Sequence, residues 1–169
     1  ALPCVVARDG MTVLKAFGKY DDSANLPLVA LARERLGLPL ILENDARAAA
    51  IGEWHHGAGR QMEKLVAITL GTGIGSAVIA DGRPLIGAGG FAGILGGFMR
   101  IPGGCRPSPF ALPGCLEAEV ATWALPEIAA ESALYPTSGL SKLDRIDYLA
   151  VFSLAESGDP LAVILRDRA

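Results

Sequence analysis

Two apolar runs typical of β-strands, joined by a glycine-rich turn, constrain the fold of this chain more than any other feature. The runs are residues 65–70 and 77–80, and the turn Gly71–Gly75 carries Thr72 between its glycines. Glycines let the backbone approach a ligand closely and let successive N–H groups point inward. The turn is therefore suited to holding phosphate oxygens, although an ordinary β-turn would also explain its glycines.

The spacing of these glycines excludes two common phosphate loops. A dinucleotide-binding G-x-G-x-x-G motif opens a helix, whereas Gly75 and Ser76 lead into the strand-like run 77–80. A Walker A loop needs Gly-Lys followed by Ser or Thr, and the sequence contains no such tripeptide. The remaining arrangement of strand, glycine turn and strand resembles the phosphate-binding hairpin of sugar kinases and actin-like ATPases, and an ordinary β-turn is the equal alternative.

The composition indicates a well-buried globular protein, with 51% hydrophobic and 20% charged residues among 169. This length fits one domain or parts of two. The net charge of −3 argues against nucleic-acid binding by this segment. No apolar run approaches the ~20 residues that span a bilayer, and residues 1–4 lack the charged region of a signal peptide. Three cysteines, an odd number, do not predict a disulfide framework. We therefore expect a cytoplasmic protein with no membrane partner.

The first sixty residues predict a hairpin followed by an α/β pattern with parallel strands. The hairpin turns at Asp9–Gly10, and a helix runs from an N-cap at Asn25 to a stop at Gly37. A short buried strand is expected at Pro39–Glu43. A helix over 44–56 follows, and its buried face is expected to carry Ala46, Ala49, Ala50 and Trp54. Helix, strand and helix in this order are typical of α/β proteins.

A glycine-rich polar segment at 57–64 is the best candidate for a linker, so we expect a domain boundary near residue 60. After the glycine hairpin, Asp81–Gly82 predicts a second tight turn. Residues 87–114 contain too many glycines and prolines for a long regular element and are expected to form an irregular loop over a site. Residues 115–134 and 147–169 are expected to be helical, with a break in the second segment near residues 158–160.

Asn44 and Asp45 lie where a predicted strand ends and a helix begins, which is where open α/β sheets place their ligands. The N–H groups at a helix N-terminus favour an ionised carboxylate, so Asp45 is suited to accept a proton from a substrate hydroxyl. A simple helix cap explains the same two residues equally directly.

Taken together, residues 43–53 and 70–75 resemble the ROK family of sugar kinases and sugar-responsive repressors. The resemblance continues through 81–82, 87–93 and 114–117, and more weakly through 154–159. It implies an α/β fold of the actin-like ATPase (ribonuclease H-like) type, the two-lobed sugar kinase fold. Residues 1–60 would belong to the N-terminal lobe with the catalytic Asp, and residues 61–169 to the C-terminal lobe with the phosphate-binding hairpin.

Residue by residue, the resemblance implies that Asp45 is the catalytic base and that Asn44 is a ligand of a sugar hydroxyl. Glu117 would be a further sugar contact, although an ordinary acidic residue in the first turn of a helix is an equal alternative.

The resemblance also implies that Gly71, Thr72 and Gly73 hold the terminal phosphates of ATP, with Mg²⁺. We therefore expect an ATP-dependent kinase acting on a hexose or an N-acylhexosamine, of the glucose, N-acetylglucosamine or N-acetylmannosamine type. The alternatives are a sugar-sensing regulator of the same family and a pseudo-kinase without sugar chemistry. A homodimer is compatible with the resemblance.

Three departures from the family pattern affect these expectations. Ile94 and Gly97 replace a Glu and a His that reach sugar hydroxyls in the family. Family members commonly bind zinc through that His and three cysteines, whereas this chain offers Cys105 and Cys115, so zinc is not expected. The family's first phosphate loop and its C-terminal adenosine segment are not found. The chain therefore looks like the middle of a longer protein, incomplete at both ends of the fold, and we expect it to be inactive on its own.

Overall fold

The computed structural model describes residues 1–109 and 111–169. The strands are β1 (Cys4–Val6), β2 (Val13–Ala16), β3 (Lys64–Leu70), β4 (Ile74–Ala80) and β5 (Arg83–Pro84). The α-helices are α1 (Leu28–Leu36), α2 (Asp45–His56), α3 (Leu116–Val120), α4 (Leu125–Ala130), α5 (Tyr148–Glu156) and α6 (Pro160–Arg168). Short 3₁₀-helices lie at Asp21–Asn25, Gly96–Phe98, Tyr135–Thr137 and Gly139–Lys142. Across the described ranges, none of the helices is both long and apolar enough to cross a lipid bilayer.

The described residues form two compact units. The first contains Ala1–Thr69 and Gly75–Gly97, and the second contains Leu70–Ile74 and Phe98–Ala169. This division does not fall at the expected boundary near residue 60. The assignment of the residues before and after 60 to two lobes of the whole protein stays a prediction.

The first unit begins with the expected hairpin, in which β1 and β2 pair antiparallel. Gly10 in its turn has φ +70°, and a Cβ there would lie 2.7 Å from the side chain of Ile41. The next helix ends at Gly37 as predicted, but it begins at Leu28 with Pro27 at the N-cap. Asn25 instead ends a 3₁₀-helix, so its predicted capping role is wrong.

The predicted strand at Pro39–Glu43 does not form. Its backbone bonds go to separate partners, with the Leu42 N–H donating to Gly10 and the Glu43 carbonyl accepting from Leu2. A strand requires a continuous ladder to one neighbour, and here the pairing reduces to a single parallel bridge between Leu2 and Asn44. Residues 39–43 therefore do not supply the parallel strand that the helix-strand-helix pattern predicts, whereas β1–β2 is the expected antiparallel hairpin and β4–β5 is also antiparallel.

The helix predicted over 44–56 is confirmed as α2, with Asn44 as its N-cap and Gly57 following its last turn. Its buried face was predicted only in part. Ala46, Arg47 and Ala50 are buried, whereas Ala49, which was expected on this face, is exposed. The buried stripe therefore includes an arginine that a pattern of apolar residues does not mark.

A three-stranded sheet has the order β3-β4-β5. The glycine turn lies between the consecutive strands β3 and β4, as predicted, and the turn before β5 has Asp81 at φ +51° and Gly82 at φ +68°. The segment 87–114 is irregular apart from one 3₁₀-turn, as expected for its described residues; residue 110 lies outside them.

The second unit is mostly helical. The helix expected over 115–134 is interrupted, because α3 ends at Val120 and α4 begins at Leu125. The N–H groups of Thr122 and Trp123 in this break donate to the carbonyls of Gly71 and Thr72. The helices α5 and α6 are separated as predicted, and they pack on a core that includes Leu140, Val151 and Leu161.

Candidate active site

Asp45 is the first residue of α2, in the position that the sequence predicts. Its side chain is exposed, and its Oδ1 accepts the N–H of Ala46 at 2.8 Å. Among the described residues, no cation forms an ion pair with this carboxylate. The group is therefore accessible and can accept a further hydrogen bond, which a general base requires. Its catalytic role stays a prediction.

Asn44 is buried and holds the N-terminus of α2. Its Oδ1 accepts the N–H of Arg47 at 3.0 Å, and its Nδ2 donates to the carbonyl of Cys4 at 3.1 Å. A side-chain amide has two donor hydrogens and two acceptor lone pairs, so one of each remains for a ligand. The structure thus places Asn44 as a cap, and its role as a sugar ligand stays a prediction.

The glycine turn is fixed through its carbonyls to the break between α3 and α4. Gly71 accepts the N–H of Thr122 at 3.0 Å, and Thr72 accepts the N–H of Trp123 at 3.3 Å. The Gly71 N–H donates to the Gly73 carbonyl at 3.0 Å. Two carbonyl groups of the turn therefore point toward Thr122 and Trp123. Because carbonyl oxygens repel anions, this orientation suits the approach of an anion to the opposite side of the turn.

Gly73 does not have a left-handed φ, so lack of room for a Cβ explains why this residue is glycine. A Cβ at this position would lie 2.5 Å from Oε2 of Glu117. Glu117 is buried on α3, and the same oxygen accepts the N–H of Ile74 at 2.8 Å. The structure thus brings Glu117 against the turn itself. Its predicted sugar contact is untested, and one of its oxygens is already engaged by the backbone.

A cleft next to the turn was not anticipated from the sequence. Its volume is about 370 Å³, and its lining includes Thr72, Trp123, Tyr135, Asp144 and Arg145. The Nε1 of Trp123 is buried and has no hydrogen-bond partner among the described residues. The cleft combines two aromatic rings with polar and charged side chains, so it suits a flat polar ligand. The sequence signal was limited to isolated aromatic residues that also fit helix packing.

The cysteine segment does not fit a structural zinc ion. Cys105 is exposed and Cys115 is fully buried. The N–H groups of Cys105 and Arg106 both donate to Oε1 of Glu119, at 2.8 and 2.9 Å. Within 1–109 and 111–169, no group of three or more His, Cys, Asp or Glu residues is arranged to hold a metal. The segment is instead tied to the protein by a carboxylate.

Glu119 is also the centre of a charge cluster. Arg106 and Arg168 both form ion pairs with it, and Arg106 also pairs with Glu131. Burial alone would raise the pKa of Glu119, but the backbone N–H groups of Arg106 and Cys105 and the charge of Arg168 lower it below its ordinary value. The carboxylate is therefore held in its charged form.

The chain matches the model of the ROK family over residues 1–169. It is 36% identical over 154 residues to a glucokinase of Thermotoga maritima, which covers 88% of this chain and 48% of the relative. It is 40% identical over 94 residues to an N-acetylmannosamine kinase of Citrobacter koseri, which covers 56% of this chain and 32% of that protein. The chain spans about half the length of the curated glucokinases that it matches.

Solved structures of the family share this fold. A ROK family glucokinase from Streptomyces griseus, in complex with glucose and AMPPNP, is similar with a TM-score of 0.75 and 31% identity, over 98% of this chain and 55% of that one. A ROK family transcriptional regulator is similar with a TM-score of 0.80 and 30% identity, over 97% of this chain and 41% of that one. The expected fold class, that of the actin-like ROK sugar kinases, is confirmed.

Proposed function

The chain belongs to the ROK family, and from this we propose that the protein is an ATP-dependent carbohydrate kinase acting on a hexose or an N-acylhexosamine. The observation that carries the proposal is the exposed carboxylate of Asp45, at the start of α2 and free of any ion pair among the described residues. A glucokinase and an N-acetylmannosamine kinase among its relatives support the substrate class.

In the proposed reaction, the oxygen of a sugar hydroxyl attacks the γ-phosphorus of ATP. The new O–P bond forms as the bond from the γ-phosphorus to the β–γ bridging oxygen breaks, which releases ADP. Asp45 accepts the hydroxyl proton, and Asn44 uses its remaining donor and acceptor to orient the sugar. Most of the rate enhancement in such chemistry comes from positioning and from charge stabilisation.

The glycine turn is proposed to hold the terminal phosphates. Gly71 and Thr72 are exposed, and their carbonyls accept the N–H groups of Thr122 and Trp123, so the opposite side of the turn is proposed to face the phosphates. Mg²⁺, when bound to ATP, would neutralise charge that develops on the phosphate oxygens. The cleft lined by Thr72, Trp123 and Tyr135 adjoins this turn and is the proposed place for the nucleoside.

A sugar-sensing regulator is the second candidate, favoured by the TM-score of 0.80 to a transcriptional regulator of the family. A pseudo-kinase is favoured by a different observation. Ile94 and Gly97 stand where the family has its sugar-binding Glu and His, and here Ser76 Oγ donates to the Gly93 carbonyl and accepts the Gly96 N–H, both at 2.8 Å. The Ser76 hydroxyl thus bridges the backbone of the segment that carries sugar contacts in the family.

The test is an assay of ADP release by the full-length protein with Mg-ATP and, in turn, glucose, N-acetylglucosamine and N-acetylmannosamine. Sugar-dependent release above the ATP-only control supports the kinase. A rise in melting temperature with a sugar alone, without ADP release, supports the regulator. No response to sugars or ATP in either measurement supports the pseudo-kinase.

A further inference from the structure

Arg47 is a buried cation that the proposed mechanism does not use. It lies in the first turn of α2, two residues after Asp45, and its exposed fraction is 1%. Charged residues are rarely buried unless they are paired, so its partners define what it does.

The guanidinium of Arg47 joins two segments that are far apart in the sequence. Its Nη1 donates to Oε1 of Glu43 at 2.7 Å, and its Nη2 donates to the carbonyls of Gly90 and Ala92, at 2.9 and 3.4 Å. The planar guanidinium can make these bonds together because its donors point in fixed directions. One side chain therefore connects the start of α2 with the turn over 90–92.

The bonds around Asn44 depend on the same arginine. The Glu43 oxygen that pairs with Arg47 also accepts the Asn44 N–H at 2.8 Å, and the Arg47 N–H donates to Oδ1 of Asn44. These contacts form a closed circuit of three residues. A displacement of the guanidinium would release Glu43 and, through it, the backbone of Asn44.

The carbonyls that accept from Arg47 belong to Gly90 and Ala92, and both residues make further contacts within the first unit. Gly90 has φ +78°, and a Cβ there would overlap the carbonyl oxygen of Val6. The Ala92 N–H donates to the carbonyl of Ile86 at 3.1 Å. The segment over 90–92 is therefore packed closely against β1, and Arg47 connects this segment to α2.

Stability alone gives a poor reason for this arginine. Its Nε is buried and has no hydrogen-bond partner among the described residues. A buried guanidinium with an unpaired N–H costs stability relative to an apolar side chain of similar volume. A requirement for fixed geometry accounts for the arrangement better than a contribution to the core.

We propose that Arg47 is a positioning residue that fixes Asn44 and Asp45 relative to the 90–92 segment, so that a sugar hydroxyl is held in line for transfer. The inference rests on the proposed kinase function for its effect on sugar. The mechanical link itself involves only residues of the first unit.

The test compares Arg47→Lys, which keeps the charge but loses the planar fork, with Glu43→Gln, which keeps the size but loses the charge of the partner. Arg35→Lys on the exposed face of α1 is the matched control. In the full-length protein, we expect Arg47→Lys to lower kcat/KM for the sugar by about 10²-fold, with KM for ATP within about twofold. Glu43→Gln should act in the same direction, and Arg35→Lys should have no effect.

Amide hydrogen exchange of the same proteins tests the link without any activity. Arg47→Lys should speed exchange in peptides covering 43–48 and 89–93 together, while α5 and α6 keep wild-type rates. Wild-type exchange in both peptides would overturn the inference, and so would unchanged sugar kinetics in an active enzyme. If the wild type phosphorylates no sugar, the proposed function fails, while exchange still decides whether Arg47 links the two segments.

Discussion

Oε2 of Glu117 accepts the backbone N–H of Ile74 at 2.8 Å and occupies the space that a Cβ at Gly73 would need. A buried carboxylate on α3 therefore fixes how closely the backbone of the glycine turn approaches this helix. The relationship explains why glycine is required at residue 73, although its φ is not in the left-handed region.

Gly73→Ala should weaken ATP binding, because the methyl group would lie 2.5 Å from the Glu117 oxygen and must displace it or the turn. We expect the Kd for AMPPNP to rise by about tenfold or more in the full-length protein, since a shifted turn loses contacts to phosphate. Isothermal titration measures this. Gly52→Ala is the control, because a Cβ in that part of α2 meets nothing within 4 Å. Equal affinity in wild type and Gly73→Ala would contradict the placement of phosphate at the turn.

Asp45→Asn should separate catalysis from helix capping. The amide oxygen can still accept the Ala46 N–H, so the melting temperature should change little. Loss of the general base should lower kcat by about 10² to 10⁴-fold. Both quantities are measured on one preparation of the full-length protein, beside Asp22→Asn, which alters an exposed residue elsewhere. Wild-type turnover in Asp45→Asn would remove this residue from the mechanism.

The protein should hold no stoichiometric zinc, because Cys105 is exposed and Glu119 occupies the backbone donors of its loop. Elemental analysis after a chelator wash should find far less than one zinc per chain, and EDTA should leave the melting temperature unchanged. Cys105→Ser should be equally stable. One tightly held zinc per chain would refute this prediction.

Glu119→Gln should destabilise the protein at neutral pH and lose this effect in acid. The pKa of Glu119 is lowered in the folded protein, despite the opposing effect of burial, by the Arg106 and Cys105 amides and by Arg168. Its stabilising contribution is therefore fully present above the ordinary value of 4.5 and is lost as the pH falls through the lower folded pKa.

The difference in melting temperature between wild type and Glu119→Gln should accordingly be constant from pH 7 to about 5 and should shrink below that. Thermal unfolding across this range is the measurement, and Glu156→Gln at the exposed end of α5 is the control. A difference that grows in acid would show that the carboxylate does not act in its charged form.

Local patterns predicted the parts of this structure that depend on neighbouring residues. The cap at Asn44, the stop at Gly37 and the turn at Asp81–Gly82 need only a few adjacent residues. The strand expected at Pro39–Glu43 failed because its backbone bonds go to Leu2 and Gly10 rather than to one continuous neighbour. Pairing of this kind is decided by tertiary structure, which apolar runs do not encode.

The same limit applies to the candidate site. The glycine turn and Asp45 follow from motifs in the sequence, whereas the support around them does not. Arg47 looks like a surface residue of an alanine-rich helix, and its acceptors at Gly90 and Ala92 lie more than forty positions further along the chain. Glu117 looks like a first-turn acid, and its contact with Ile74 depends on how the second unit packs.

The break between α3 and α4 has a consequence for tolerated changes in length. Connections between helices usually accept insertions, because few contacts fix their backbone. Here the N–H groups of Thr122 and Trp123 are the donors that hold the Gly71 and Thr72 carbonyls. An added residue at 121–124 would shift these donors out of register with the turn. We therefore expect this short connection to tolerate no change in length, because its backbone holds the glycine turn in place.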